Sequence, residues 1–232
     1  MILVLAGTSE GRKAAAALEK EGLPVIASTA TDYGRELLRL DFKGEIISRR
    51  LDLEAMQKLI IEKGITRLLD ATHPYATVAT ATAVEACRLS GISYERLERA
   101  ASEPEALTGV IEAGSIEEAA TTAASYSGSI FLTTGSSRLE HYTAIIDPSR
   151  LVVRILPVAA SLEKCLSLKI PPANIIAMQG PFDEETNRAL FKRYKAAAVI
   201  TKESGPTGGT AEKIKAAHSL NIPVILLTRP KP

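Results

Sequence analysis

Ile2 to Ala6 is an unbroken apolar run that stops at Gly7, and a helical pattern ended by Gly22 follows it. A strand with no polar alternation is buried on both faces, the situation of a strand in a parallel sheet with helices packed on each side. The order recurs: Pro24 to Ser28, Glu45 to Ser48, Arg67 to Ala71 and Ser93 to Leu97 read as strands. Helical stretches lie between them, over Tyr33 to Leu40, Asp52 to Lys63 and residues 75–90, the last stopped by Gly91. Parallel neighbours cannot be joined by a hairpin, so each crossover needs its helix. Few folds accept such a chain, and in those folds ligands gather where strands give way to helices.

The pattern breaks over Glu98 to Thr108, which is charged and follows neither period, and a domain boundary is placed there, giving segments 1–98 and 99–232. Beyond it the alternation resumes, with strands expected at Gly109 to Glu112, Ser129 to Thr133, Leu151 to Leu156, Ile175 to Met178, Ala196 to Ile200 and Val224 to Thr228. Helices are expected at Ser115 to Ala124, after Arg138, at Ala159 to Leu168, from Asp183 or Glu184 to Tyr194, and around Ala211, Ile214 and Ala217. The last of these carries Glu212, Lys213 and Lys215 as its charged positions. The expected fold class is α/β, two doubly wound, mainly parallel-sheet (Rossmann-like) domains with a cleft between their loop-bearing edges.

Composition narrows the ligands. A net charge of +1 over 232 residues gives no global attraction to nucleic acid or to a membrane surface. Aromatics make up 4% with no Trp, too few for base-stacking platforms, and no apolar run is long enough to span a bilayer. The N-terminus reads directly as the first strand, without a basic leader, and Cys87 and Cys165 have no paired spacing. Free thiols of that kind fit a reducing, cytoplasmic setting. His73, His141 and His218 share no ligand spacing, so no metal site is expected.

The loops carry the chemistry. Gly7-Thr8-Ser9-Glu10-Gly11 turns the first strand into a helix, a common seat for a dinucleotide pyrophosphate, although it matches GxGxxG poorly. Ser28, Thr29 and Thr31 end the second strand where an NAD site usually places a carboxylate, and Arg35 stands just beyond. Hydroxyls and a cation favour a 2′-phosphate, hence NADPH with NADH as the lesser option; the competing role is helix capping by Thr31 or Asp32. Arg49 and Arg50 are either a solvated turn or a second phosphate contact. Thr72-His73-Pro74-Tyr75 ends a central strand, with Pro74 suited to a first helical turn. Thr201-Lys202-Glu203-Ser204-Gly205 precedes Gly208 and Gly209, and such a glycine-rich loop before a helix suits an anion. Lys202 faces two partners on this reading, a ligand carboxylate or Glu203 next door.

In chain order, LAGTSEGR at 5–12, DATHPYA at 70–76, LTTGSSRL at 132–139, AMQGPFDEETN at 177–187, TKESGPTGG at 201–209 and the terminal Arg229-Pro230 resemble the precorrin-6A reductases of cobalamin biosynthesis, the cobalt-precorrin-6A branch included. The resemblance runs essentially end to end. It implies hydride transfer from NAD(P)H to a double bond of a corrin precursor, giving the 6B form. It places Gly7, Thr8, Ser9, Glu10 and Arg12 on the cofactor's phosphates and ribose, and Thr72, His73, Pro74 and Tyr75 near the nicotinamide and substrate. Thr134, Gly135, Ser136, Gln179, Gly180, Pro181, Lys202, Glu203, Ser204 and Gly205 would surround the macrocycle. Precorrins carry many carboxylates, so Lys202, Arg138 and Arg12 suit it as loop cations. His73, Tyr75 and Lys202 are the candidates for the proton that must accompany hydride, water being the alternative. The sequence departs from the family at Glu98 to Ala101, where a similar Glu-Arg is often followed by proline and an aromatic. Two other readings stay open here: a different nucleotide-dependent α/β transferase, and a non-catalytic two-lobed sensor of an anion. A monomer or weak homodimer is expected, with a corrinoid precursor as the partner.

Overall fold

The computed structural model describes residues 1–97 and 107–229, and the expectations for Glu98 to Ala101 and for Pro230 lie outside them. The chain divides into two compact units, Met1–Arg99 and Ala100–Pro232. No helix among the described residues is long and apolar enough to cross a membrane.

The first unit is a five-stranded parallel sheet of β1 (Ile2–Leu5), β2 (Val25–Thr29), β3 (Glu45–Ser48), β4 (Arg67–Asp70) and β5 (Ser93–Arg96), in the order β3-β2-β1-β4-β5. Between them run α1 (Ser9–Lys20), α2 (Asp32–Arg39), α3 (Leu53–Glu62) and α4 (Thr77–Ser90). Successive residues of a strand face opposite ways, and β1 feeds two cores. Leu3 and Leu5 join Met56, Leu59 and Ile60 of α3 and Ala83, Ala86 and Cys87 of α4, whereas Ile2 and Val4 join Ala15 of α1 and Leu38 of α2. That division is why the run at 2–6 contains no polar residue. The helix starts are fixed locally: Thr8, Thr31 and Asp52 each accept a hydrogen bond from the backbone N–H three residues on.

In the second unit all pairings are again parallel. Its strands are β6 (Ile111–Ala113), β7 (Ser129–Leu132), β8 (Leu151–Ile155), β9 (Ile175–Ala177), β10 (Ala196–Lys202) and β11 (Val224–Leu227), ordered β6-β11-β10-β7-β8-β9. The helices are α5 (Ile116–Ala124), α6 (Leu139–Thr143), α7 (Ala159–Ser167), α8 (Glu184–Arg193) and α9 (Thr210–His218). Phe131, Val152 and Val199 from three strands meet Phe191 of α8 and Ile214, Ala216 and Ala217 of α9 in one core. Both cysteines are buried and free.

Four local expectations need correction. Helix α4 begins at Thr77, because Ala76 N donates to His73 O at 2.8 Å and Tyr75 N donates to His73 Nδ1 at 3.3 Å. Pro74 therefore sits in a self-contained turn instead of a first helical turn. Thr201 and Lys202 belong to β10, paired with Leu226 and Leu227, so the loop is shorter by two residues. Strand β6 lies two residues later than its expected start, where it can pair with Ile225 to Leu227. Lys213 is buried at 8% exposure, although its helix pattern read it as a surface charge.

Candidate functional site

An open parallel sheet leaves a crevice where its strand order reverses, outside the carboxyl ends of the strands. In the first unit the reversal falls between β1 and β4, paired with Leu5 opposite Asp70, so Gly7 to Gly11 and Thr72 to Tyr75 emerge side by side. Thr8 Oγ1 donates to Ala71 O at 2.8 Å and accepts from Gly11 N at 3.0 Å, which ties the two loops together and caps α1 at once. The two glycines do different work. A Cβ on Gly11 would stand 2.8 Å from Ala6 Cα and 3.1 Å from Ala71 Cβ, so Gly11 lets α1 lie against the strands, whereas a Cβ on Gly7 would meet nothing within 4 Å. Open space beside a backbone turn at a helix start fits the approach of a pyrophosphate. Ser9 Oγ donates to Glu10 Oε2 at 2.9 Å, and Arg12 is half-buried one turn on.

Ser28 and Thr29 are buried at the end of β2, whereas Thr31 and Arg35 are exposed. Thr31 Oγ1 accepts from Gly34 N at 3.1 Å and so serves as the cap of α2, and Arg35 approaches Asp32 at 3.8 Å. A Cβ on Gly34 would sit 3.1 Å from Thr29 Cβ, so this helix also starts tight against its strand. His73 and Tyr75 place their rings 5.5 Å apart at 39°, both half-buried at the mouth of the crevice. With Nδ1 accepting from Tyr75 N, a neutral His73 carries its proton on Nε2.

Sequence reasoning assigned no role to Asp70, which underlies this loop. Its carboxylate is fully buried and accepts from Thr72 N, Thr80 Oγ1 and Tyr94 OH, each at 2.9 Å, and from Arg96 Nη1 at 2.6 Å. Burial opposes its ionisation, yet the hydrogen bonds from Thr72, Thr80 and Tyr94 outweigh that and hold its pKa below the ordinary carboxylate value. A charged residue closing an apolar strand, inside a motif already singled out, was the available signal.

The second unit reverses between β7 and β10, paired with Leu132 opposite Ile200. Thr134 to Ser136 and Glu203 to Gly205 therefore emerge together, and Lys202 Nζ donates to Thr134 O at 3.0 Å across the junction. Burial, helped by Arg138, pushes the Lys202 ammonium down to about 8. Glu203 is engaged elsewhere: Oε1 accepts from Gly205 N at 3.1 Å and Oε2 is ion-paired with Arg229. Gly205 has φ 73, and Gly208 is close enough to Ser204 that a Cβ would fall 2.2 Å from that residue's Cβ, so side chains are shut out of the loop. Ser204 N donates to Thr210 Oγ1 at 3.0 Å, and Ser136 Oγ meets Ser161 Oγ at 2.9 Å. Gln179 and Pro181 are exposed on the loop after β9, with Gly180 between them.

Two buried cations escaped the sequence reading. Arg154, at 6% exposure in β8, donates to Asn187 Oδ1 at 2.8 Å and lies 4.1 Å from the centre of the Phe182 ring. Lys213 donates to Gly208 O at 2.6 Å. Among the described residues no carboxylate pairs with either one. Burial lowers Lys213 to about 8, with Arg154 and Lys202 adding to the effect and the Glu212 carboxylate opposing it, and burial alone lowers Arg154 to about 10. An arginine inside the apolar strand Leu151 to Ile155 was the visible clue. Among the described residues no cluster of His, Cys, Asp or Glu is arranged to hold a metal ion.

The whole chain, residues 1–232, matches the family described as Precorrin-6x reductase CbiJ/CobK. A cobalt-precorrin-6A reductase of Methanothermobacter thermautotrophicus is 42% identical over 99% of this chain and 76% of its own length. That of Priestia megaterium is also 42% identical, over 100% of this chain and 91% of its own. A precorrin-6A reductase of Rhodobacter capsulatus is 26% identical over 99% and 88%. A solved structure titled CobK precorrin-6A reductase superposes with a TM-score of 0.76 at 24% identity, covering 99% of this chain and 88% of that one, which supports the shared fold.

Proposed function

The chain belongs to the CbiJ/CobK precorrin-6x reductase family, and from that premise we propose that it reduces a carbon–carbon double bond of precorrin-6A, in its cobalt form, to the 6B state. Relatives named for the cobalt substrate reach 42% identity, while two named for the metal-free one stand at 26% and 29%. Family membership sets aside the transferase and sensor readings. NADPH is the proposed reductant, held by the first unit, and the cytoplasm the proposed location, with the chain a monomer or weak homodimer.

The residues of the first crevice fit a dinucleotide: an unobstructed Gly7, a helix start capped by Thr8, and hydroxyls with Arg35 beside the end of β2. Gly7, Thr8, Ser9, Glu10 and Arg12 would hold the phosphates and ribose, Ser28, Thr29, Thr31 and Arg35 the 2′-phosphate, and Thr72 the nicotinamide end. When bound, a reduced nicotinamide supplies the hydride, so the protein's task is mainly to position and to protonate. His73, whose Nδ1 accepts from Tyr75 N so that the neutral ring carries its proton on Nε2, Tyr75 and Lys202 are the proposed proton donors.

The substrate's side is assigned to the second unit, and one observation carries that assignment: Lys202 Nζ donates to Thr134 O where the loops after β7 and β10 meet, and the charges of Arg138 and Lys213 act on the same spot. A ring rimmed with carboxylates suits such a cationic junction. Thr134, Gly135, Ser136, Arg138, Gln179, Gly180, Pro181, Glu203, Ser204 and Gly205 are the further substrate contacts proposed in the second unit, and Pro74 is the one proposed in the first. An anaerobic assay of both substrate forms against NADPH and NADH tests the proposal. Turnover of the cobalt form with NADPH is expected, and no oxidation of either cofactor with either form would refute it.

A further inference from the structure

A buried arginine is costly unless its charge is neutralised, and replacing such a residue with an apolar one of similar size is often neutral or stabilising. Among the described residues no carboxylate pairs with Arg154 inside β8, so what it touches matters. Val152, two residues earlier on the same face, packs in the core with Phe191 and Ile214, and Arg154 accordingly points beneath the loop that leads into α8. Its guanidinium takes the face of Phe182, and its Nη1 holds Asn187 Oδ1. With that oxygen fixed, Asn187 Nδ2 is aimed at Phe182 O at 3.3 Å and Asp183 O at 2.7 Å. Both the ring and the carbonyl of Phe182 are thus set from one point.

Phe182 in turn shapes the two neighbouring loops. Its ring edge would lie 3.0 Å from a Cβ on Gly180, and its carbonyl oxygen 3.5 Å from one on Gly209. The second loop is held from its other side by Lys213, through Gly208 O at 2.6 Å. We infer that Arg154 is a positioning residue for substrate binding: through Phe182 and Asn187 it fixes the loops 178–183 and 205–209 in one relative arrangement. Nothing in this role requires Arg154 to touch the substrate. The inference rests on the proposed function only in saying what the loops receive.

The test uses the full chain with Arg154→Met, Phe182→Leu and the double variant, all of which keep apolar volume at each position. The Michaelis constant for cobalt-precorrin-6A is expected to rise about tenfold in each single variant, the scale of a desolvated cation–π contact. The turnover number should stay within about twofold, and the dissociation constant for NADPH should not move. The double variant should be no worse than the worse single one, since both cut the same link. Backbone amide exchange is read in parallel and needs no substrate: residues 178–183 and 205–209 should exchange about tenfold faster while β7 and β10 stay protected. Unchanged exchange in both loops overturns the inference, as does an additive double variant, which would mean Arg154 meets the substrate directly. A parent chain that fails to turn over refutes the proposed function instead, and the exchange result still decides this one.

Discussion

At the end of β4 a buried carboxylate, Asp70, is met by four donors; near the end of β8 a buried guanidinium, Arg154, is met by an amide oxygen and a ring face. Both residues lie at the carboxyl edge of a parallel sheet, and both support a loop that the family resemblance associates with a ligand. The first is internally complete, so its loop offers a ligand mainly backbone amides, hydroxyls and open space. The second gathers positive charge, with burial lowering Lys202 and Lys213 both to about 8. The same topology therefore presents two chemistries, which the proposed function assigns to a dinucleotide and to an acidic macrocycle, and the difference comes from a few residues at strand ends.

Breaking the complete site has the largest expected effect. Asp70→Asn leaves Arg96 without its carboxylate and turns an amide N–H₂ toward Thr80 and Tyr94, so the first unit should lose about 3–5 kcal/mol, the usual cost of breaking a buried ion pair. Denaturant unfolding followed by amide exchange in β4 measures it. Because the folded pKa of Asp70 is depressed, its contribution is present above the unfolded carboxylate value and is lost as pH falls through the folded one. The variant should accordingly show a flatter acid limb.

The second site is expected to respond through its ligand. Lys202→Ala should weaken macrocycle binding by about 1.5–3 kcal/mol, the scale of a hydrogen bond to a charged group. Anaerobic titration with cobalt-precorrin-6A and a thermal melt should show the loss in affinity with little change in Tm. The pH dependence has a definite sign. A lysine whose folded pKa is lowered to about 8 loses its charge as pH rises through that value, so macrocycle affinity should fall there. The Lys202→Ala variant should lose most of that dependence.

The smallest effect sharpens the cofactor's identity. Arg35 is exposed and already near Asp32, so Arg35→Ala should reduce the preference for NADPH over NADH by only about 1 kcal/mol or less. Paired dissociation constants for the two cofactors on parent and variant check it.

Much of the fold was legible because the inner strands β1, β7, β8 and β11 are buried along nearly all their length and several helices carry a side-chain cap, as at Thr8, Asp52 and Asp183. The loops were legible too, since Gly7, Gly135 and Gly205 mark turns that the strand-end rule places at the crevices. What escaped was burial of charge. Lys213 looks like a surface residue in a linear pattern and Asp70 and Arg154 stand as lone charges in apolar strands, and the packing of β4, β8 and α9 encloses all three. The turn at His73 to Ala76 escaped for a related reason: Pro74 suits a helix start, but the bonds from Ala76 N to His73 O and from Tyr75 N to His73 Nδ1 close the turn first.

The division of labour between the two edges is tested most directly by one crossed binding experiment. NADPH and cobalt-precorrin-6A are each titrated, separately and without oxygen, into Gly7→Val and Lys202→Ala. Gly7 has open space on its Cβ side, so valine there should leave the fold intact while obstructing the dinucleotide. The account predicts that Gly7→Val loses affinity for NADPH alone and Lys202→Ala for the macrocycle alone. Both variants losing the same ligand, or each losing the other's, would contradict it.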